Sequence, residues 1–543
     1  MQKNKIEIFL LCLIILSGFL LRVWNWNSTG VDHFDEGAYL ISASGLPSGS
    51  LFSNQIKLSP PMYFSSVGLL FKITGSSSAS LAVLLNIIVG TLTVLAVWWV
   101  GRMWLDPGSA LGAAALLAFN EYHITLSRTG LTDIFFAFFF IVALGVAVSA
   151  LKSQSIFKGI IAGILVGLAW NTKYHGWFVP FICASTIFIN FILFNRTKEY
   201  LFPALKVWIT MSIVAGCCYL PWALFIQSHP GGYLGLLKYH SQFTSLNWVD
   251  NLYQQLLLQK SLSGLWTQFS VIIAVSIVVL QRKTYKIDKP LVFVIGLSLL
   301  VCALIIGGGA LTIILLAMIS LFGFFNFKQK PSFSVLILLI SFLFWFLISP
   351  VYHPYARLLL PFMIMCCLLA ANGLYRFIDS IESTNGNWIY YSIAFPLVIA
   401  CLIIFAESGR YYNPWRPSNS VEKTAEMILN FLPEDIPVYS IGEPSLAFYL
   451  QSLGDIPFRY IDEGQLCKQL EERNEDAYLI RGIYSKRAPS VRDCFSSLSD
   501  DLKHIGDFQM SPKDIRVLDD FKPQEISQLP FDDYNLSLYK YTK

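Results

Sequence analysis

Apolar runs long enough to cross a bilayer recur from one end of the chain almost to the other, and no other feature restricts its fold so tightly. The first, Ile6 to Trp24, would extend about 28 Å as a helix, which matches the hydrocarbon layer. Others follow at 81–101, 108–122, 131–151, 158–172, 177–194, 202–222, 264–281, 290–306, 309–327, 333–349, 358–375 and 388–405. With 543 residues, 55% of them hydrophobic and only 14% charged, the chain has too little polar surface to clothe a soluble globule. It reads as an all-α polytopic membrane protein of about 13 transmembrane helices.

Charge gives the orientation. Lys3 and Lys5 precede the first run, and Arg22, Trp24 and Trp26 follow it without a small-residue cleavage site, so it reads as a retained helix with a cytoplasmic N-terminus. Alternate turns carry the basic residues: Arg102, then Lys152 and Lys158, Arg196 and Lys198, Arg282 to Lys289, Lys328 and Lys330, and Arg376. An odd number of crossings, with Gly307–Gly309 turning between two of them, puts the C-terminus on the extracytoplasmic side. Composition turns polar near Glu407. DIPVYSIGEPSLAFYLQ reads as strand, turn and helix and DAYLIRGIY as another strand, which divides the chain into a membrane part, 1–406, and a small extracytoplasmic α/β domain, 407–543. Two long external loops, 25–80 and 223–263, carry amphipathic stretches, the second with the composition of a lid.

The net charge of +4 is dispersed, and no basic run or Cys/His finger points to nucleic acid. Eight of ten cysteines sit in apolar segments as small hydrophobes. Cys467 and Cys494 alone share the polar tail, where a disulfide and two free thiols both fit. No Cys/His spacing demands a metal; a divalent ion is compatible with the sequence but not required by it.

Against this apolar background the ionisable residues need reasons, since each costs about 2.5–3.5 kcal/mol at the centre of a membrane helix. VDHFDEGAYLISA follows the first span. In a helix its Asp32, Asp35, Glu36 and Tyr39 fall on one face at i, i+3, i+4 and i+7. That face is either solvated or answered by a cation or substrate. SRTGLTD sets Arg128 and Asp133 at another external turn, NTKYHG sets Lys173, Tyr174 and His175 at a third, and SPVYHPYARLLLP sets His353, Tyr355 and Arg357 at a fourth. Arg128 with Asp133 fits an interfacial ion pair as well as a cavity lining, and Lys173 fits a snorkelling side chain as well as a phosphate ligand. The histidines suit orienting hydrogen bonds better than metal ligation. Arg357 begins an apolar helix with a fork suited to phosphate. A basic cluster opposite an acidic one suits a reaction that leaves a phosphate and takes up a proton.

These segments resemble the GT-C class of integral membrane glycosyltransferases, in particular the protein O-mannosyltransferase and lipid A aminoarabinose transferase superfamily. FDEGAY, SPPMYF, SRTGLTD, TKYHGW and HPYARLLLPF stand in the family's order over roughly residues 10–375. The resemblance implies inverting transfer of a sugar from a polyprenyl-phosphate donor to a lipid, glycan or protein acceptor at the extracytoplasmic face. It implies Asp35 as general base, Glu36 as its neighbour that binds acceptor or tunes it, and Asp133 lining the same cavity. Arg128, Lys173 and Arg357 would neutralise the leaving lipid phosphate, while Tyr39, Tyr174 and His353 would contact substrate. One departure concerns the residue before Pro60–Pro61, often Lys or His in relatives: here it is Ser59, with Lys57 two residues earlier. The lack of an inserted repeat domain implies a prokaryotic relative, in the inner (plasma) membrane. Two other classes fit the composition. A transporter or flippase for a lipid-linked or anionic solute would gather its charges at the midplane, whereas these gather at one face. A scaffold would work through its external domain alone.

Overall fold

The computed structural model describes residues 2–45, 59–229, 231–280, 313–314, 316–318, 320, 331–380, 414–415, 419–432, 436–454, 458–461, 466–472, 476–482, 485–486, 489–509 and 535–542. Helices come first: α1 Gln2–Val23, α2 Phe34–Gly45, α3 Met62–Thr74, α4 Ala79–Trp104, α5 Pro107–Ala118, α6 Glu121–Ser127, α7 Asp133–Ser153, α8 Ile156–Trp170, α9 Phe178–Leu193 and α10 Lys198–Gln227. Then come α11 Gly232–Ser241, α12 Trp248–Ser261, α13 Leu265–Leu280, α14 Phe333–Ile348 and α15 Leu360–Ser380. Among the described residues, seven helical segments are long and apolar enough to cross a membrane. The chain is a multi-pass membrane protein. Lipid-facing side chains such as Phe9, Leu16, Ile164 and Leu224 stay exposed on these helices, while their other faces pack into one core.

Three expected spans, 108–122, 158–172 and 264–281, form apolar helices shorter than a crossing. The run at 108–122 divides, because Asn120 accepts from the His123 amide and starts a second helix, leaving α5 wholly buried and about 18 Å long. Serine does the same before α8, where Ser155 accepts from the Lys158 amide. The expected runs at 290–306 and 388–405, most of 309–327, and the Gly307–Gly309 turn lie outside the described residues.

The chain between α10 and α13 is ordered by an amide face. Asn251 on α12 donates to the Pro350 carbonyl and Gln255 to the Ser349 carbonyl, so the predicted lid is tied to the segment that leads to Arg357. A single bridge between Thr244 and Tyr352 joins the same two segments.

The tail forms α16 Ser420–Phe431, β1 Val438–Ile441, α17 Pro444–Leu453, β2 Phe458–Ile461, α18 Leu466–Glu471, β3 Ala477–Arg481, α19 Pro489–Ser497, β4 Leu502–Gln509 and β5 Asn535–Tyr541. The strands make one sheet in the order β2-β1-β3-β5-β4. β1 runs parallel to β2 and β3, with Val438 opposite Phe458 and Tyr478, and β5 runs antiparallel to β3 and β4. Alternation decides the two faces: Val438, Ile480, Leu536 and Leu538 join the main core, while Tyr439, Ile441 and Leu479 close a separate core with Val491 and Cys494. Cys467 and Cys494 are joined as a disulfide, with Cα atoms 5.5 Å apart.

Candidate active site

Helix α2 begins at Phe34, so Asp32 lies before it and not on its acidic face. The cause is Glu36. Its Oε2 accepts from the amides of Asp32 and His33 at 3.0 Å each, as a glutamate at the third helical position does when it reaches back to the cap. Its Oε1 accepts from the Gly130 amide at 2.6 Å. Three backbone donors occupy this fully buried carboxylate. Glu36 therefore fastens α2 to the loop before α7, and three of its acceptor positions are taken by backbone amides.

Asp35 points the other way. Its Oδ2 accepts from Arg357 Nη2 at 2.7 Å, and its side chain is 32% exposed. Arg357 rises from the turn Ala356–Leu359 that starts α15, with its guanidinium 5.2 Å over the Tyr355 ring. The first residue of α7, Asp133, holds Lys173 at 2.6 Å. Asp133 Oδ2 is buried with no hydrogen-bond partner among the described residues. The two ion pairs sense each other: Asp35 lies in the field of Lys173, and Arg357 in the fields of both carboxylates and of Tyr39. Two anions and two cations from four distant segments thus make one neutral quartet at the edge of the bundle.

Environment tunes these groups. Burial works against the charge on Asp35, but Arg357, then His33 and Lys173, more than offset it and hold the carboxyl below the ordinary carboxylate range. Burial lowers Lys173 below an ordinary lysine, with Asp133 pulling the other way. Burial, and then Asp35, raises the Tyr39 phenol, so it stays protonated as a donor one turn from Asp35. Tyr39 also packs edge-on against Tyr63, with ring centroids 5.7 Å apart.

The remaining candidates lie elsewhere. Arg128 is buried and its guanidinium is saturated: it donates to the carbonyls of Arg22, Trp24, Asn25 and Pro414 and to Thr29 Oγ1. With all five N–H donors taken, it clamps the segment after α1 in this arrangement. Tyr174 accepts from Trp222 Nε1 at 3.4 Å and meets the His240 ring, on the α10–α11 side. The His175 ring packs among Phe136, Phe178 and Trp345. His353 donates through its backbone amide to the Phe243 carbonyl, and its ring lies against Tyr355, between the lid segment and Arg357. Two residues join the site without having been singled out in the sequence. His33 Nδ1 accepts from the Asp35 amide at 3.1 Å, and the Tyr122 hydroxyl donates to the Ala356 carbonyl at 2.7 Å, beneath Arg357. His33 is legible in hindsight as the histidine two residues before the acid; Tyr122 carries no such signal. Among the described residues, no three His, Cys, Asp or Glu side chains gather as a metal site.

Residues 59–225 match the family described as dolichyl-phosphate-mannose-protein mannosyltransferase, a stretch that contains Asp133 and Lys173 but not Asp35 or Arg357. No curated protein sequence matches the chain. Its fold is similar to that of the Archaeoglobus fulgidus oligosaccharyltransferase tethered with an acceptor peptide, with TM-score 0.57 and 16% identity over 88% of this chain and 69% of that one. The same archaeal enzyme, AglB, in complex with an inhibitory peptide and a dolichol-phosphate gives TM-score 0.56 and 17% identity over 89% and 70%. ArnT from Cupriavidus metallidurans, bound to undecaprenyl phosphate, aligns over 98% of this chain and 97% of its own at TM-score 0.48 and 14% identity.

Proposed function

We propose that this chain is a glycosyltransferase of the GT-C kind, and that it moves a sugar from a polyprenyl-phosphate donor to an acceptor hydroxyl at the extracytoplasmic membrane face, inverting the anomeric carbon; the family match over residues 59–225 supports this reading. The observation that carries this reading is the quartet: an ionised, one-third exposed carboxylate paired with a guanidinium that has donors to spare. Asp35 takes the acceptor proton as the acceptor oxygen bonds to the anomeric carbon from the face opposite the phosphate. The bond from that carbon to the phosphate oxygen breaks, and its electron pair leaves with the phosphate. Arg357 and Lys173 answer the charge that develops there. At rest each cation is satisfied by a carboxylate; donor phosphate competes for both, and its arrival frees Asp35 to act as base. The cations supply the electrostatic role without a metal, so chelation should leave the rate unchanged.

Orientation and domain roles belong to the same proposal. Ser445 on α17 donates to the His33 carbonyl, which supports assigning the tail and the acidic helix to one side of the membrane. We assign that side as extracytoplasmic, in a prokaryotic inner membrane, with 1–406 as the transferase body and 407–543 as an external domain. Asn27→Cys and Ser499→Cys, in a background retaining only the Cys467–Cys494 pair, should both react with a membrane-impermeant thiol reagent on intact cells. Silence from both until lysis would reverse the assignment.

The chemistry is tested with purified protein in nanodiscs, undecaprenyl-phosphate-linked mannose as donor and a cell-envelope extract as acceptor. Release of undecaprenyl phosphate that depends on the extract, and its loss in Asp35→Asn, are expected. Movement of the intact lipid-linked sugar across sealed vesicles without cleavage would favour the transporter instead.

A further inference from the structure

In open α/β sheets, ligands settle in the crevice at the carboxyl ends of the parallel strands, beside a helix N-terminus. Here β1 ends at Ile441, turns at Gly442 with φ 64°, and enters α17 at Pro444. That crevice is occupied by the chain's own catalytic segment. Ser445 Oγ donates to the His33 carbonyl at 2.6 Å, and the Val31 amide donates to the Tyr449 hydroxyl at 2.9 Å, one turn further along α17. Between them Gly37 lies so close that a Cβ there would overlap the backbone of Pro444 and Ser445. Phe448 stacks with Phe71 of α3 at 6.5 Å and closes the contact from the side.

The bonds form a relay. Ser445 fixes the His33 carbonyl, His33 Nδ1 accepts from the Asp35 amide, and Asp35 meets Arg357. Glu36 locks the same turn from the membrane side through Gly130. We infer that Ser445 and Tyr449 are positioning residues, and that the C-terminal domain serves the reaction by holding residues 31–37 as it would a ligand, setting Asp35 in register with Arg357. The mechanical part of this inference stands on geometry alone; its consequence for turnover rests on the proposed role of Asp35.

The test uses full-length protein in nanodiscs and the double variant Ser445→Ala/Tyr449→Phe, which removes two hydroxyls and keeps both frames. Losing both hydrogen bonds predicts roughly tenfold or greater loss of amide-exchange protection across residues 33–38, with α14 and α15 unchanged. In the transfer assay kcat should fall by a similar factor with donor KM held, and the acid limb of the pH profile should move up as the Asp35–Arg357 pair loosens. A merely structural role would reduce the active fraction without moving that limb. Gly37→Ala should reproduce the exchange change by steric displacement, and either hydroxyl variant alone gives the same readout should the double variant not fold. Unchanged exchange at 33–38 in the variants overturns the inference. Inactive wild-type protein with the exchange change intact would instead overturn the proposed reaction and leave the positioning role standing.

Discussion

Arg357 and Arg128 stand at the same edge of the bundle, and the contrast between their surroundings separates an exchangeable ion pair from a saturated clamp. Arg128 spends its donors on four carbonyls and a hydroxyl, and is buried. Arg22 beside it does likewise, donating to the carbonyls of Gly18, Leu117 and Ala118 and to Ser127, with His123 Nδ1 at 2.7 Å from its Nη2. Such a charge is fully answered by fixed dipoles, so exchanging any of them for a ligand gains nothing. The Arg357 guanidinium makes one hydrogen bond among the described residues, to a carboxylate that solvent still reaches. Glu36 and Asp35 repeat the contrast in adjacent residues, three backbone amides against one exchangeable cation. Saturation, together with deeper burial, marks the structural member of each pair.

The sharpest way to break this comparison is Asp35→Asn. The amide keeps the shape and loses the proton acceptor, so transfer should drop by about a thousandfold or more while size-exclusion behaviour and melting stay near wild type. Near-normal turnover would move the base elsewhere. Arg128→Met should do the reverse, lowering stability by about 3 kcal/mol through stranded carbonyls, with donor KM unchanged in the protein that survives. A selective loss of donor affinity there would return Arg128 to the phosphate site. Arg357→Lys keeps charge but loses the fork, and a loss of roughly 10–100-fold in kcat/KM is expected. Equal efficiency in the lysine variant would make Arg357 structural.

The pH profile sharpens the same contrast without mutation. Asp35 is depressed in the folded state, so its contribution to stability is present above the ordinary carboxylate value of about 3.9 and is lost as pH falls through the lower folded value. Lys173 is lowered by burial, so it discharges below the ordinary lysine value of about 10.4. Activity should therefore show an acid limb below about 4 and an alkaline limb below about 10. The smallest effect on transfer belongs to the Cys467→Ser/Cys494→Ser pair. It should cost the tail about 2–4 kcal/mol by urea unfolding, with kcat within twofold provided α17 stays docked.

Much of this was legible in order along the chain. Alternating apolar runs and basic turns gave the helices, strand periodicity gave β1 and β3, and SRTGLTD, TKYHG and HPYAR marked polar turns that do hold Asp133, Lys173 and Arg357. The saturation of Arg128 was not legible, because residue type and side of the membrane do not reveal hydrogen-bond partners. The capping role of Glu36 was not legible, because the same carboxylate serves equally as a helix cap and as a ligand group and its contact with Gly130 is long-range. Tyr122 was missed since a buried tyrosine on an apolar helix gives no chemical signal.

The sequence by itself determined the class of solvent, the helices that face it, and the set of ionisable side chains retained at one edge despite their cost there. Those are one-dimensional properties, set by hydropathy, periodicity and charge. Tertiary structure decided which charges stay exchangeable. Pairings such as Asp35 with Arg357, 322 positions apart, and Ser445 with His33, 412 apart, depend on distances that no local pattern encodes. Electrostatics and hydrogen bonding fall off within a few ångströms, so the difference between a clamp and a site exists only once the chain has brought its partners together.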